Sequence, residues 1–538
     1  MKKWAFLCFW GCFINLVSSQ NASTKPLPIH FQTKLSSEEL LALLPHVTLT
    51  TIDSEWGWYS APSLNISIEK IRNIKGINLV YQSKPISKRY RPNDPNYAKQ
   101  FHLNFINAEK VWDFTQGVTD RSGDTMIVAI IDDGIDTTHE DLKTQIWRNS
   151  KEIPNNQIDD DQNGYLDDYL GWNAGDQNGT VYTNISQYDG HGTAVAGIVG
   201  AKSNNELGVA GILWNSKILP VNCYPIDEID VEAGVLRAML YVYRMKKLYL
   251  ESDGDKGANI GVLNMSVGMD NGFPSDAPWW CPLYDSLGSV GIWSATASTN
   301  RNVNVEISGD LPSLCPSDFM ISVNSCDLNN QHISSGYSDT FIDIAAPGND
   351  AYTTLPNILL PGEPYSYESG TSFASPMVAA SMLLLESYTC DSYMYLKKNN
   401  PNLAMQLMRS WLTKGSKSSA SLSTKNQMGG SLDLFGSWEA MVEWCQGVDT
   451  AFKLSLGDRL ENSFIKVYPQ PLIGDRELNL YVSESGTAEI YSFTGQRIGE
   501  KDLISGTNSW KIDVKQGLYL LVFRADSKKI KKLQILVD

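Results

Sequence analysis

Val128-Ala129-Ile130-Ile131-Asp132-Asp133-Gly134 is a run of mostly branched apolar residues that ends on two acids and a glycine. The run starts at Met126 and is continuous rather than alternating, as in a strand buried on both faces. Short runs of the same kind follow at Ile218 to Val221, Ile260 to Leu263 and Val290 to Trp293, with longer helical patterns between them. From about residue 96 to 448 this alternation predicts an α/β domain, a parallel sheet covered by helices on both faces. Ligands of such sheets bind beyond the carboxyl ends of the strands, which is where Asp132 stands. Taken alone, Asp132 is as readily a turn or cap residue as a catalytic acid.

Two further motifs bear on that choice. Asp189-Gly190-His191-Gly192-Thr193-Ala194-Val195-Ala196-Gly197-Ile198 sets a histidine between glycines at the start of a small-residue helix. The glycines let a substrate backbone approach the imidazole, and a neutral imidazole can take a hydroxyl proton and return it to a leaving amine. The other five of the six histidines, His30, His46, His102, His139 and His332, lack this setting and read as structural. Glu368-Ser369-Gly370-Thr371-Ser372-Phe373-Ala374-Ser375-Pro376 leads into a helix through Leu385, with Ser372 at its amino end. Free N–H groups and the positive end of the helix dipole favour developing negative charge there. A serine in that position is commonly only an N-cap. The joint occurrence of the three motifs in the order Asp, His, Ser outweighs that reading.

These residues resemble the subtilisin-like serine proteases, Gly370 to Pro376 differing from the usual Gly-Thr-Ser-Met-Ala-Ser-Pro only at Phe373. The resemblance covers residues 96 to 448 and implies a subtilisin-like parallel sheet with Asp132, His191 and Ser372 as catalytic triad. It implies a secreted serine endopeptidase acting on proteins or peptides through an acyl-enzyme on Ser372, with no cofactor for catalysis. Within Asn264-Met265-Ser266-Val267-Gly268, residues Ser266, Val267 and Gly268 resemble the family's substrate-binding strand. The family's oxyanion-hole Asn follows a strand in a short Ala-Ala-Gly-Asn type segment. Here the stretch reads Ser294-Ala295-Thr296-Ala297-Ser298-Thr299-Asn300, with Asn300 as the candidate, displaced by about one residue and without the glycine. That irregularity is the feature favouring the rival reading, an inactive protease fold used for binding.

Between the acid and histidine motifs lies Asp159-Asp160-Asp161-Gln162-Asn163-Gly164-Tyr165-Leu166-Asp167-Asp168. Oxygen ligands at alternate positions before a glycine turn match the first half of a calcium loop, and Leu170 stands where a full EF-hand needs Glu. Asp159, Asp161, Asn163 and Asp167 are the candidate ligands of a structural calcium, against a merely solvated acidic turn.

The flanks differ from this centre. Lys2 and Lys3 precede an apolar run from Trp4 to Val17 and then Ser18 and Ser19, which predicts a signal peptide over residues 1–19. No later run reaches the roughly 18 apolar residues of a membrane span, so no transmembrane segment is expected in the mature chain. Residues 20–92 mix strand-like and helix-like patterns, with Ser36 and Glu39 at capping-box spacing. They fit the α+β propeptide that subtilisin-like enzymes carry, an ordinary accessory domain being the alternative. The stretch Ser87 to Pro95, with Lys88, Arg89 and Arg91, reads as an exposed linker open to cleavage. Residues 459–538 read as an all-β sandwich-type module. Its Ile465 to Leu472, Ile490 to Gln496, Gly517 to Leu521 and Lys531 to Leu533 resemble the C-terminal sorting domain of type IX secretion substrates, with Gln470 where Asn is usual. That resemblance implies the type IX secretion machinery of a Bacteroidetes-like bacterium as partner, and export through the periplasm to the outer surface or medium. A carbohydrate-binding or adhesive sandwich is the competing reading. The net charge of −16 argues against a nucleic-acid partner. Six cysteines follow the signal segment, Cys223, Cys281, Cys315, Cys326, Cys390 and Cys445; disulfides are permitted, their pairing is open, and some read as free buried thiols.

Overall fold

The computed structural model describes residues 29–537 except 46, 48, 62–66, 83–90, 118, 121–122, 183–189, 228, 360–361, 458–464, 469–476, 483, 493–496, 513, 515–516 and 527–529. The signal peptide, His46, Asp189 and parts of the basic linker and of the tail motifs therefore lie outside the described residues.

The chain divides into two compact units, Met1–Arg89 and Tyr90–Asp538, and the break falls inside the stretch read as a linker. The first unit is a four-stranded antiparallel sheet, with strands in the order Thr50–Asp53, Trp58–Ala61, Ile29–Thr33 and Ile77–Gln82, and two helices, Ser37–Leu43 and Ile68–Arg72. Ile29, Phe31, Leu40, Tyr59 and Ile71 form its core. The capping box is present: the Ser36 hydroxyl accepts the Glu39 N–H at 3.3 Å and the Glu39 carboxylate accepts the Ser36 N–H at 2.7 Å.

The second unit is built on a nine-stranded sheet. Its central strands run 320–326, 293–297, 260–265, 127–132 and 217–222 in space, all parallel; only the pair Lys417–Ser418 and Gly430–Ser431 at one edge is antiparallel. Alternate residues of Ile127–Asp132 feed two different cores. Val128 and Ile130 pack with the helices His191–Gly200 and Thr371–Glu386, whereas Ile127, Ala129 and Ile131 pack under the helix Val231–Glu251. Burial on both faces explains the unbroken apolar runs. The strand expected at Val290 to Trp293 starts later, at Trp293–Ala297. Val290 closes the helix Trp280–Ser289 and Gly291 turns the chain at φ +80°, so the apolar residues before Trp293 belong to a helix end.

Ile127–Asp132 lies between Ile260–Met265 on one side and Lys217–Asn222 on the other. The chain runs from it to Trp172–Asn173 and Lys217–Asn222 on one side and then crosses to Ile260–Met265 on the other, and this reversal opens a crevice at the carboxyl ends of the strands, where Asp132 sits.

Disulfides join Cys281 to Cys315 and Cys390 to Cys445, while Cys223 and Cys326 are buried free thiols. The C-terminal residues form two antiparallel sheets of three and four strands. Leu478, Leu480 and Val482 of one meet Ala488, Ile490, Leu521 and Phe523 of the other in a single core, the alternation of a sandwich.

Candidate active site

Asp132 ends the central strand and is 1% exposed. Its Oδ1 accepts a hydrogen bond from His191 Nδ1 at 2.7 Å and from the Asp133 N–H at 2.9 Å. An ionised carboxylate only accepts, so Nδ1 carries a proton, and in the neutral ring this leaves the lone pair on Nε2, the tautomer a general base needs. The next acid has a different task. Asp133 Oδ1 accepts the Gly192 N–H at 2.7 Å and its Oδ2 the His191 N–H at 3.2 Å, so this carboxylate caps the helix His191–Gly200. Only a glycine fits after the histidine. A Cβ on Gly192 would lie 2.3 Å from the Gly134 carbonyl oxygen and 3.0 Å from the Asp132 Cβ.

Ser372 is the second residue of the helix Thr371–Glu386, where backbone N–H groups have no intrahelical acceptor. Gly370 precedes the helix at φ +150°, and a Cβ there would meet the Asn300 carboxamide at 3.3 Å. That carboxamide is fixed by the same turn: Asn300 Oδ1 accepts the Thr371 N–H at 2.8 Å and the Thr371 hydroxyl at 3.0 Å. Its NH2 group is the end that remains to donate. Ser266 Oγ donates to the Ser372 carbonyl at 3.0 Å and lies 3.1 Å from Ser375 Oγ, which donates to Asn264 Oδ1. These bonds tie the segment after Ile260–Met265 to the serine helix.

Ser266, Val267, Gly268, Asn300, Thr371 and Ser372 line one cavity of about 160 Å³. The Asp132–His191 pair stands beside it, because the imidazole packs on the ring of Phe373, the neighbour of Ser372, with centroids 5.4 Å apart. Of the other histidines, His102 is fully buried and lowered to about 3 by desolvation, and His332 is lowered to about 4 by the same cause. His139 accepts the Asp141 N–H at Nδ1 and faces the Pro364 carbonyl with Nε2. Trp280 is buried in the core and Trp279 is 72% exposed.

The acidic insertion is gathered differently from the pattern read in sequence. Glu152, Asp159 and Asp161 bring carboxylate oxygens within 4.8 Å of one another. Asn163 stays close, its N–H donating to Asp159 Oδ1 and Asp161 Oδ1 at 3.0 Å each. Asp167 does not join them: its two oxygens accept the N–H groups of Asn156 and Gln157. Glu152 was not visible as a member, since it precedes the acidic run and arrives by a turn of the chain.

Residues 123–437 match the subtilase family and residues 466–536 match the secretion system C-terminal sorting domain. The subtilisin-like protease 1 of Plasmodium berghei is 27% identical over 346 residues, covering 61% of this chain and 52% of that protein. The chain thus spans about half the length of that relative, and 38% of its Plasmodium falciparum counterpart. Thermitase of Thermoactinomyces vulgaris is 27% identical over 306 residues, 55% of this chain and 86% of thermitase. A solved protease structure from Pseudoalteromonas arctica superposes with a TM-score of 0.47 at 23% identity, covering 65% of this chain and all of that one. With more than half of its length matched by the family model, this chain belongs to the subtilase family.

Proposed function

We propose that the chain is an exported serine endopeptidase. Ser372 Oγ attacks the scissile carbonyl carbon while His191 Nε2 takes its proton, and Asp132 holds the imidazole and stabilises its charged form. The oxyanion lies between the Ser372 N–H and the Asn300 NH2. As the C–N bond breaks, His191 returns the proton to the leaving amine, and water then releases the acyl group by the same route. The observation that carries this reading is the junction of Ser372, Asn300 and Ser266 to Gly268 on one cavity, beside an imidazole already held by Asp132.

The purified protein is expected to hydrolyse casein and to react with a fluorophosphonate probe, and Ser372→Ala to do neither. A folded wild type freed of its first unit that fails both assays would make the chain a binding protein built on a protease fold.

A structural calcium is part of the proposal. Glu152, Asp159 and Asp161 would hold it, and Glu152 Oε2 is a buried oxygen with no hydrogen-bond partner among the described residues, as a cation ligand would be. The ion would supply charge neutralisation to the insertion and no step of the hydrolysis. Residues 20–92 would act as the propeptide, supported by the independent core of the first unit and by their place in the chain before the protease sheet. The sorting domain supports export by type IX secretion, through the periplasm to the surface or the medium. No helix of the described residues is long and apolar enough to cross a membrane.

A further inference from the structure

The cavity beside Ser372 holds charged groups that the hydrolysis does not use. Asp310 lines it, carried there by a two-residue strand, Asp310–Leu311, that pairs antiparallel with Met269–Asp270 just beyond the substrate-binding segment. Asp270 and Arg301 line it as well. Arg301 is engaged by Asp270 at 3.3 Å and by Asn271 Oδ1 at 2.8 Å, with both members of the ion pair about half exposed. Asp310 is 2% exposed, and its Oδ2 accepts the Thr299 N–H at 3.0 Å. Among the described residues Arg301 pairs with Asp270 and not with Asp310. The inner carboxylate therefore has hydrogen-bond donors around it and no cation on it.

Resting on the hydrolase reading, we infer that Asp310 sets the specificity of the enzyme, the cavity accepting a lysine or arginine side chain on the acyl side of the scissile bond, the P1 position. A pocket beside the nucleophile is what discriminates P1 side chains in this chemistry. The cavity has room for one long unbranched side chain, since its volume of about 160 Å³ is several times the ~30 Å³ share of a water molecule. An ammonium or guanidinium there would make a charge-assisted hydrogen bond to a carboxylate already removed from water. An apolar side chain would leave that carboxylate buried against hydrocarbon, and an acidic one would set two like charges together. The binding cost thus falls on both competitors. Burial raises the Asp310 pKa to about 6 against the hydrogen bonds from Ser313 and Thr299, with smaller effects of Asp270 raising it and Arg301 lowering it, so the group is ionised at neutral pH and desolvated enough to reward a cation.

The test uses the full protein and a set of peptides identical except for Lys, Arg, Leu or Glu at P1, with kcat/KM for each and fluorophosphonate labelling in parallel. Lys and Arg are expected to exceed Leu by about tenfold or more, the size of a charge-assisted contact, and Glu to be the poorest. Asp310→Asn keeps an oxygen for the Thr299 N–H, and is expected to collapse the Lys-to-Leu ratio by a similar factor while still labelling. A wild type that labels but prefers Leu, or a ratio unmoved in a labelled Asp310→Asn, overturns the assignment and leaves the hydrolase reading standing. A wild type that neither labels nor cleaves removes the hydrolase reading, and this one with it. Should the variant not fold, the wild-type P1 profile decides alone.

Discussion

Asn300 enters the site by a route that a motif does not describe. The usual glycine before it is replaced by Thr299, whose N–H is taken by Asp310, and the Asn300 carboxamide is then aligned by Thr371. Truncation removes the NH2 donor together with the acceptor that the Thr371 N–H and hydroxyl use beside the nucleophile. Asn300→Ala is expected to lower kcat by about 100 to 1,000-fold with KM changed far less, as measured on one peptide in steady state. A loss confined to KM would place Asn300 in ground-state binding instead. Asp310 carries a second prediction at this scale. Its pKa of about 6 means that the cavity gains its negative charge as pH rises from 5 to 7. The ratio of kcat/KM for Lys over Leu at P1 should rise through that window, and taking the ratio cancels any pH effect common to both substrates. The groups facing Asp310 are Asp270, which moves the midpoint up, and Arg301, which moves it down. In Asp310→Asn the ratio should be flat, and a wild-type ratio that falls with pH would contradict the sign.

The elements explain which parts of this were legible in sequence. Asp132, His191 and Ser372 could be read because each sits at the end of its own strand or helix, where neighbours in sequence are neighbours in space. Asp133, Glu152 and Asp310 could not, because their roles depend on partners that only the fold supplies. Asp310 reaches the cavity by pairing with residues forty positions earlier. The strand Trp58–Ala61 likewise depends on partners: it is short, follows a turn at Gly57, and is held by Ile29–Thr33 on one side and Thr50–Asp53 on the other. The cap on the histidine helix is testable as an element. Asp133→Ala should lower the stability of the protease unit by about 0.5–2 kcal/mol, seen as a lower urea midpoint in a Ser372→Ala background that prevents self-digestion. An unchanged midpoint would mean that the helix start is held by its packing alone. The acidic insertion gives the second test. Three carboxylates within 4.8 Å repel one another until a cation joins them. Calcium at a hundredfold over its Kd would then stabilise the fold by about 2.7 kcal/mol, read as a melting temperature that falls with chelator. Glu152→Gln should shrink that difference, and an equal melting temperature with and without calcium would leave the insertion a solvated turn.

At the scale of the whole chain, the two ends of the linker are fixed by different forces. Downstream, the Asn204 N–H donates to Asp94 Oδ2 at 2.7 Å, the Glu206 N–H to Asn93 Oδ1 at 3.1 Å, and the Asn96 N–H to the Gly208 carbonyl at 2.9 Å. From Asn93 onward the backbone is therefore part of the protease unit, and a cut there would cost those bonds. Upstream, the strand Ile77–Gln82 belongs to the sheet of the first unit. Cleavage that separates the units without dismantling either must fall between Gln82 and Asn93, and the break between them is at Arg89 and Tyr90. Within that interval the basic residues are Lys84, Lys88, Arg89 and Arg91, and Lys84 and Arg91 are each followed by a proline, Pro85 and Pro92, which lacks an N–H and has its φ fixed. A cavity that takes Lys or Arg at P1 would select Lys88 or Arg89, so the enzyme would be suited to release its own first unit. Mass spectrometry of the matured protein is expected to find an amino terminus at Arg89 or Tyr90, while Ser372→Ala keeps the first unit attached. An amino terminus after a non-basic residue, or maturation of Ser372→Ala during isolated refolding, would separate the processing event from the specificity assigned to Asp310.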